Sequence, residues 1–246
     1  MTDLTGQTAI VTGATGGVGR ATAARLLARG ATVVLVGRTE DAVEGTIATM
    51  GWRSAPVKGY AVDLAGATEV ETFARRLADS YPNIHILVHG AGVITLARVE
   101  HALVADFDRH YSVNVRAPYQ LTRALLPCLA ACRGQIVFIN SSAGINARAG
   151  IAQYAATKHA LKAIADSLRD EVNELGVRVT SVFLGRTATA MQVAVHAHEG
   201  RSYDPARLLQ PDDVAAIIVD ALQLPRTAEV TDLHIRPMSK LQEFRP

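Results

Sequence analysis

Cysteine is nearly absent, with two in 246 residues. That is too few for a disulfide framework. No uncharged apolar run approaches the eighteen or so residues a membrane-spanning helix needs, so such a helix is excluded. No long basic run breaks the balance of 25 basic and 23 acidic residues, so the electrostatic footprint of a nucleic-acid binder is missing. Residues 1–6 lack a basic stretch followed by an apolar one, and the chain runs straight into strand-like Thr8–Thr12. A signal peptide is therefore not expected, and a soluble cytoplasmic protein is. What is present is a chain 49% hydrophobic and 20% charged. Its length suits one α/β domain or two small ones and easily buries a core.

Short apolar, β-branched runs alternate with longer amphipathic ones. The runs are Thr8–Val11, Thr32–Val36, Val57–Val62, Ile84–Val88, Gln135–Ile139, Val177–Phe183 and a weaker Glu229–Ile235. Apolar strands that do not alternate are buried on both faces, as in parallel sheets. Helix-length segments lie between them at about 17–29, 40–50, 67–80, 101–131, 152–175 and 211–224. The alternation predicts an α/β fold: a single Rossmann-like, doubly wound domain over residues 1–246. Thr68 and Glu71 have capping-box spacing. Pro211-Asp-Asp should open the last helix, and Gly176 should end the one before it. Residues 186–210 show no clear period and form a candidate lid.

After the first strand comes Thr12-Gly13-Ala-Thr-Gly16-Gly17-Val-Gly19. A glycine turn between strand and helix presents free N–H groups and a positive dipole end to a phosphate. An ordinary tight turn fits as well, and a P-loop does not, because no Gly-Lys-Ser/Thr follows. The second strand ends Gly37-Arg38-Thr39. In dinucleotide folds an acid here takes the ribose hydroxyl of NAD, whereas an arginine takes a 2′-phosphate. Glycine in the acid's place and Arg38 beside it favour NADP(H); an exposed strand-end arginine is the bland alternative. Asp63 ends the third strand, where a carboxylate can accept from an adenine amine.

Tyr154 and Lys158 stand four apart at the start of a helical segment and share a face. Ser141 ends the fifth strand. Strand carboxyl ends are where doubly wound sheets bind ligands, so the glycine turn, Asp63, the His89–Gly92 turn and Ser141 are expected in one crevice. A free phenol titrates near 10 and needs roughly three units of lowering, about 4 kcal/mol, to work near neutrality. A cation ~5 Å away at an effective dielectric of ~20 supplies about 3 kcal/mol of that. Lys158 is expected to be this cation.

Together these residues strongly resemble the short-chain dehydrogenase/reductase family, NADP-preferring type. The resemblance rests on Thr12-Gly13-x-x-x-Gly17-x-Gly19, Asp63, Gly90-Ala91-Gly92, Asn114, Ser141, Tyr154-x-x-x-Lys158 and Gly185 with Thr189. It implies a seven-stranded parallel sheet with helices on both faces. It implies that Tyr154 is general acid and base, that Lys158 lowers its pKa and holds the nicotinamide ribose, that Ser141 binds the substrate oxygen, and that Asn114 holds a relay water. Ser141 rather than Ser142 is chosen because the family's gap of thirteen to the tyrosine is met by 154 − 141. The implied cofactor set is Gly13, Thr15, Gly16, Gly17, Val18 and Gly19; Arg38 and Thr39; Asp63 and Leu64; Gly90, Ala91 and Gly92; Tyr154 and Lys158; and Thr187 and Thr189 at the carboxamide. A homodimer or homotetramer packed through the 101–131 and 152–175 segments is also implied.

Three positions depart from the family pattern. His89 replaces an asparagine that stitches strands, Leu184 replaces a proline whose loss should loosen the loop over the nicotinamide, and Gly16 stands where a basic residue is common. The expected reaction interconverts a carbonyl and a secondary alcohol of a small molecule. An isomerase or dehydratase on the same fold, and a non-catalytic NADP(H) sensor, are the alternatives. His196, His198 and Glu199 lack a third ligand at helical spacing, so no metal is expected. Cys128 and Cys132 read as small core or interface residues, and Arg116 and Arg148 as solvated surface or contacts for an acidic substrate. Met191, Val193, Val195 and Tyr203 either line an apolar pocket or pack the lid.

Overall fold

A computed structural model describes residues 3–239. Its strands are β1 (Thr8–Thr12), β2 (Thr32–Gly37), β3 (Val57–Ala61), β4 (Ile86–His89), β5 (Gln135–Ser141), β6 (Arg178–Leu184) and β7 (Asp232–Ile235). They form one seven-stranded sheet in the order β3-β2-β1-β4-β5-β6-β7, and every pairing is parallel. The helices are α1 (Gly17–Ala28), α2 (Glu40–Thr49), α3 (Ala67–Ser80), α4 (Val104–Tyr111), α5 (Ala117–Ala131), α6 (Ala152–Val172), α7 (Ala190–His198) and α8 (Pro211–Leu222). None is long and apolar enough to cross a membrane among the described residues.

The unbroken apolar strands are explained by what covers them. Val11, Leu35, Val88 and Val137 face one way and pack with Leu26 of α1, Val43 of α2 and Val214 and Ile218 of α8. Ile10, Val34, Leu87, Ile136 and Phe138 face the other way and pack with Leu77 of α3, Leu121 and Leu125 of α5 and Leu161 of α6. Two apolar layers leave no polar face for these central strands to show, whereas the edge strands β3 and β7 are only partly covered. The strand order reverses between β1 and β4, so their carboxyl ends diverge and open a crevice there.

Several local expectations are corrected. The 101–131 segment is not one α-helix. A 3-10 turn at Val99–His101 precedes α4, and a π turn at Ser112–Arg116 joins α4 to α5. Pro118 has no N–H to give the Asn114 carbonyl, and a widened turn accommodates the missing bond. The segment 186–210 contains α7. Thr189 caps it by accepting from Gln192 N at 3.4 Å, and Gly200 follows at φ +64. Thr68 is not a cap, because α3 starts one residue earlier with Gly66 at its N-cap and no side-chain cap bond. Pro211 opens α8 as expected, and Gly176 (φ +71) ends the 3-10 turn Asn173–Leu175 that follows α6.

The packing implies a sharp contrast between two leucines. Leu87 is 0% exposed and Leu103 is 66% exposed. Leu87→Ala is expected to destabilise by about 2–5 kcal/mol, and Leu103→Ala by no more than about 0.5 kcal/mol. Equilibrium denaturation of the two variants checks this.

Candidate active site

The crevice is a cleft of about 510 Å³. Of the residues singled out from the sequence, Gly13, Thr15, Gly16, Gly17, Val18, Gly19, Arg38, Thr39, Asp63, Leu64, Gly90, Ala91, Gly92, Ser141, Tyr154, Lys158, Thr187 and Thr189 all line it. Asn114 does not; it stands behind the wall.

At one end, backbone meets backbone. A Cβ on Gly13 (φ +67) would lie 2.7 Å from Ala91 N, and one on Gly19 would lie 2.4 Å from Gly13 O. The β1–α1 turn therefore closes against the β4 turn only because side chains are missing, and the amino end of α1 stays bare. The carboxyl end of β2 is equally restrictive. A Cβ on Gly37 would meet Thr15 Cγ2 at 2.5 Å and Val43 Cγ2 at 2.7 Å, so an acidic side chain has no room there. Arg38 is exposed and has no ion pair or hydrogen bond among the described residues. Asp63 Oδ1 accepts from Ala65 N at 3.0 Å. Arg116 Nη2 donates to the carbonyl of Ala65 and so braces this wall, a role for which the sequence carried no sign.

The β4 turn is held differently from the expectation. Thr12 Oγ1 accepts from Gly90 N at 3.1 Å and Ala91 N at 3.3 Å, and donates to Val88 O at 3.3 Å. His89 stitches no strand. Its Nε2 lies 2.8 Å from Thr122 Oγ1 and its ring stacks on Phe138 at 4.9 Å. Burial pushes its pKa down to about 3, so it stays neutral.

At the other end stand Ser141, Tyr154 and Lys158. Ser141 is the last residue of β5, and its Oγ accepts from Ala143 N at 3.1 Å. Tyr154 and Lys158 are buried on α6, 8% and 4% exposed. Lys158 Nζ donates to Ile139 O at 3.0 Å and lies 5.9 Å from the Tyr154 ring centroid. The expected lowering of the phenol pKa by Lys158 is not what this arrangement produces. Burial raises the Tyr154 pKa, and only a hydrogen bond from Ser141 opposes it. Burial also lowers Lys158 from 10.5 to about 8. Desolvation, which a pairwise charge argument omits, dominates both groups.

Asn114 sits in the π turn, 1% exposed. Its Oδ1 accepts from Val93 N at 2.9 Å, and its Nδ2 donates to Val93 O at 3.0 Å and Thr157 Oγ1 at 3.2 Å. The sequence reading missed Asn140. It accepts from Ser141 N at 2.8 Å and donates to Lys158 O at 3.1 Å, which ties β5 to α6. An asparagine one residue before the candidate serine was its only visible sign.

Beyond Leu184 the 186–210 segment has backbone and ion-pair anchors. Gly185 N donates to Ile235 O at 2.8 Å, which extends the β6–β7 ladder. Thr187 bridges to Leu209 at the neck. Glu199 receives Arg186 at 2.7 Å, Arg148 at 3.0 Å and Arg201 at 3.6 Å. Met191 lines the cleft, Val195 is buried in the lid, and Val193 is exposed. His196 is buried against Tyr203, its Nδ1 2.7 Å from Gln192 O. Cys132 Sγ is 3.0 Å from Ile84 O, in the packing between α5 and the sheet.

A family profile described as short chain dehydrogenase matches residues 7–200. The chain belongs to that family of oxidoreductases. An uncharacterized oxidoreductase of Staphylococcus epidermidis is 30% identical over 231 residues, covering 94% of this chain and 96% of that one. Among solved structures, a provisionally named NAD(P)-dependent gluconate 5-dehydrogenase of Beutenbergia cavernae, with NADP bound at low occupancy, superposes with a TM-score of 0.85. It is 29% identical and covers 94% of this chain and 96% of its own. A metagenomic short-chain oxidoreductase in complex with NADP gives 0.82 at 29% identity, covering 97% and 100%.

The buried amine carries a measurable penalty. Between about pH 8 and 10.5 the unfolded chain keeps a proton on Lys158 that the folded chain has lost. The group's contribution to stability therefore rises with pH across that window and is least favourable below it. Lys158→Met is expected to be more stable than the parent at pH 7, by about 1–3 kcal/mol. The advantage should shrink as the pH rises from 8 to 10. Denaturation at three pH values checks this, and a variant less stable at pH 7 would contradict it.

Proposed function

We propose that the chain is an NADP(H)-dependent oxidoreductase that interconverts a carbonyl and a secondary alcohol of a small molecule. The observation that carries this reading is the convergence of Ser141, Tyr154 and Lys158 at one end of a cleft whose other end is a side-chain-free backbone cradle beside the exposed Arg38. The cradle fits a diphosphate, and its close approaches are filled by any side chain larger than glycine. With no room for an acid at Gly37, the ribose partner is Arg38, which matches a 2′-phosphate bidentately, with Thr39 beside it. Gly16 and Gly17 extend the cradle, Asp63 and Leu64 would hold the adenine, and Thr187 and Thr189 would hold the carboxamide. When bound, the reduced nicotinamide supplies a hydride.

The chain's own residues handle the proton. Burial keeps the Tyr154 phenol protonated at neutral pH, the form a carbonyl oxygen needs as it gains negative charge. The Ser141 hydroxyl, fixed by β5 and Asn140, donates to the same oxygen. Lys158 steadies the phenolate left behind. Both amide protons of Asn114 are committed to Val93 and Thr157. Its Oδ1 keeps a second lone pair for the relay water implied by the family resemblance. The exposed Phe107, Tyr111 and Tyr119 on α4 and α5 support a homo-oligomer.

NADPH oxidation measured against a carbonyl panel tests the reading. The parent protein is expected to turn over. Tyr154→Phe should lose about 10²–10⁴-fold in kcat while still binding NADPH. Binding without turnover in both would favour the sensor. Arg38→Ala is expected to raise KM for NADPH by about ten-fold and leave that for NADH nearly unchanged. Equal changes would remove the 2′-phosphate role.

A further inference from the structure

Beyond Gly92 runs a strap, Val93–Ala97, that belongs to no strand and whose first residue lines the cleft. Its alternate amides are the bound ones. Val93 N goes to Asn114 Oδ1 at 2.9 Å, Thr95 N to His110 Nε2 at 2.8 Å, and Ala97 N to Gly150 O at 3.0 Å. The side chains between them, Ile94 and Leu96, pack on the buried cluster of Ala143, Ile151, Tyr154 and Ala155. His110 and Asn114 are four apart on the α4–π segment. Four helical residues advance about 6 Å, and two residues of extended chain cover about 6.6 Å. One helix face can therefore grip two alternate amides of the strap.

His110 is 1% exposed, and its ring meets the Tyr154 ring edge-on, 6.2 Å between centroids at 76°. A backbone N–H donates to Nε2, so the ring proton resides on Nδ1. That Nδ1 is buried and has no partner among the described residues. Burial holds the ring's pKa below the usual imidazole value; Asp106 opposes this and Arg109 adds to it.

We propose that His110 is a positioning residue of this active site. As the neutral Nδ1–H tautomer it takes the Thr95 amide and, with Asn114, fixes the register of the strap, and with it Ile94 and Leu96, against Tyr154. A histidine is suited to this place because its ring supplies an acceptor to the strap and an aromatic edge to the phenol at once.

Two arms test the proposal. The first is independent of the carbonyl-reducing reading. In protein labelled with 15N-histidine, the signal removed by His110→Gln is expected to show an unprotonated Nε2 and a protonated Nδ1. A protonated Nε2 overturns the proposal. In the second arm, which rests on that reading, His110→Leu is expected to lose about ten-fold in kcat, with NADPH Kd within about two-fold of the parent. His110→Gln, whose Oε1 reaches the Nε2 position, should restore most of the loss, and His110→Asn should not. Equal kcat in all variants, or equal losses in Leu and Gln, overturns the proposal. If the parent reduces no carbonyl, the functional reading falls alone. Thr95 amide exchange, expected fast in His110→Leu and slow in His110→Gln, then decides; equal exchange overturns the clamp.

Discussion

An ammonium taken out of water next to a phenol is the constraint that organises this molecule. Lys158 is 4% exposed and has the Ile139 carbonyl for a partner. That contact exists because α6 is drawn tightly onto the end of β5. Asn140 donates to Lys158 O, and a Cβ on Gly144 would come within 2.8 Å of the same oxygen. The docking that buries the amine also sets Ser141, at the tip of β5, beside Tyr154. Burial then acts on both titrating groups in the direction of neutrality. The protonated phenol and the weakened amine share one physical cause.

The opposite end of the cleft depends on the absence of side chains. Gly13, Gly19 and the β4 turn approach so closely that the β1–α1 and β4 connections behave as one rigid piece, stitched by the Thr12 hydroxyl. The reversal of strand order between β1 and β4 is what opens the space these turns line. A bare, amide-rich end and the buried group of Ser141, Tyr154 and Lys158 thus stand at the two ends of one cleft. That arrangement agrees with the family match over residues 7–200.

Much of this was legible in the sequence because it is carried by local pattern. Strands buried on both faces announce themselves as unbroken β-branched runs, and glycines at fixed spacing mark the phosphate-type turn. What escaped reading depends on contacts distant in the chain. In α7 the apolar period is scrambled, since Val193 is 46% exposed whereas His196 is 2% exposed; its capping signals, Thr189 and Gly200, were the better guide. His89 turns to Thr122, and His110 to Thr95, through contacts across the fold that no spacing encodes. The phenol's titration was misjudged because attraction between neighbours can be read from i,i+4 spacing, whereas loss of hydration cannot.

The neck formed by Thr187 and Leu209 joins the two ends of residues 188–208 by backbone. Closing such a loop costs little more when it is lengthened. Residues 188–208 are therefore an exchangeable cassette. Evolution or an engineer can graft a new one at this neck, while the glycine turns and the group of Ser141, Tyr154 and Lys158 are inherited unchanged.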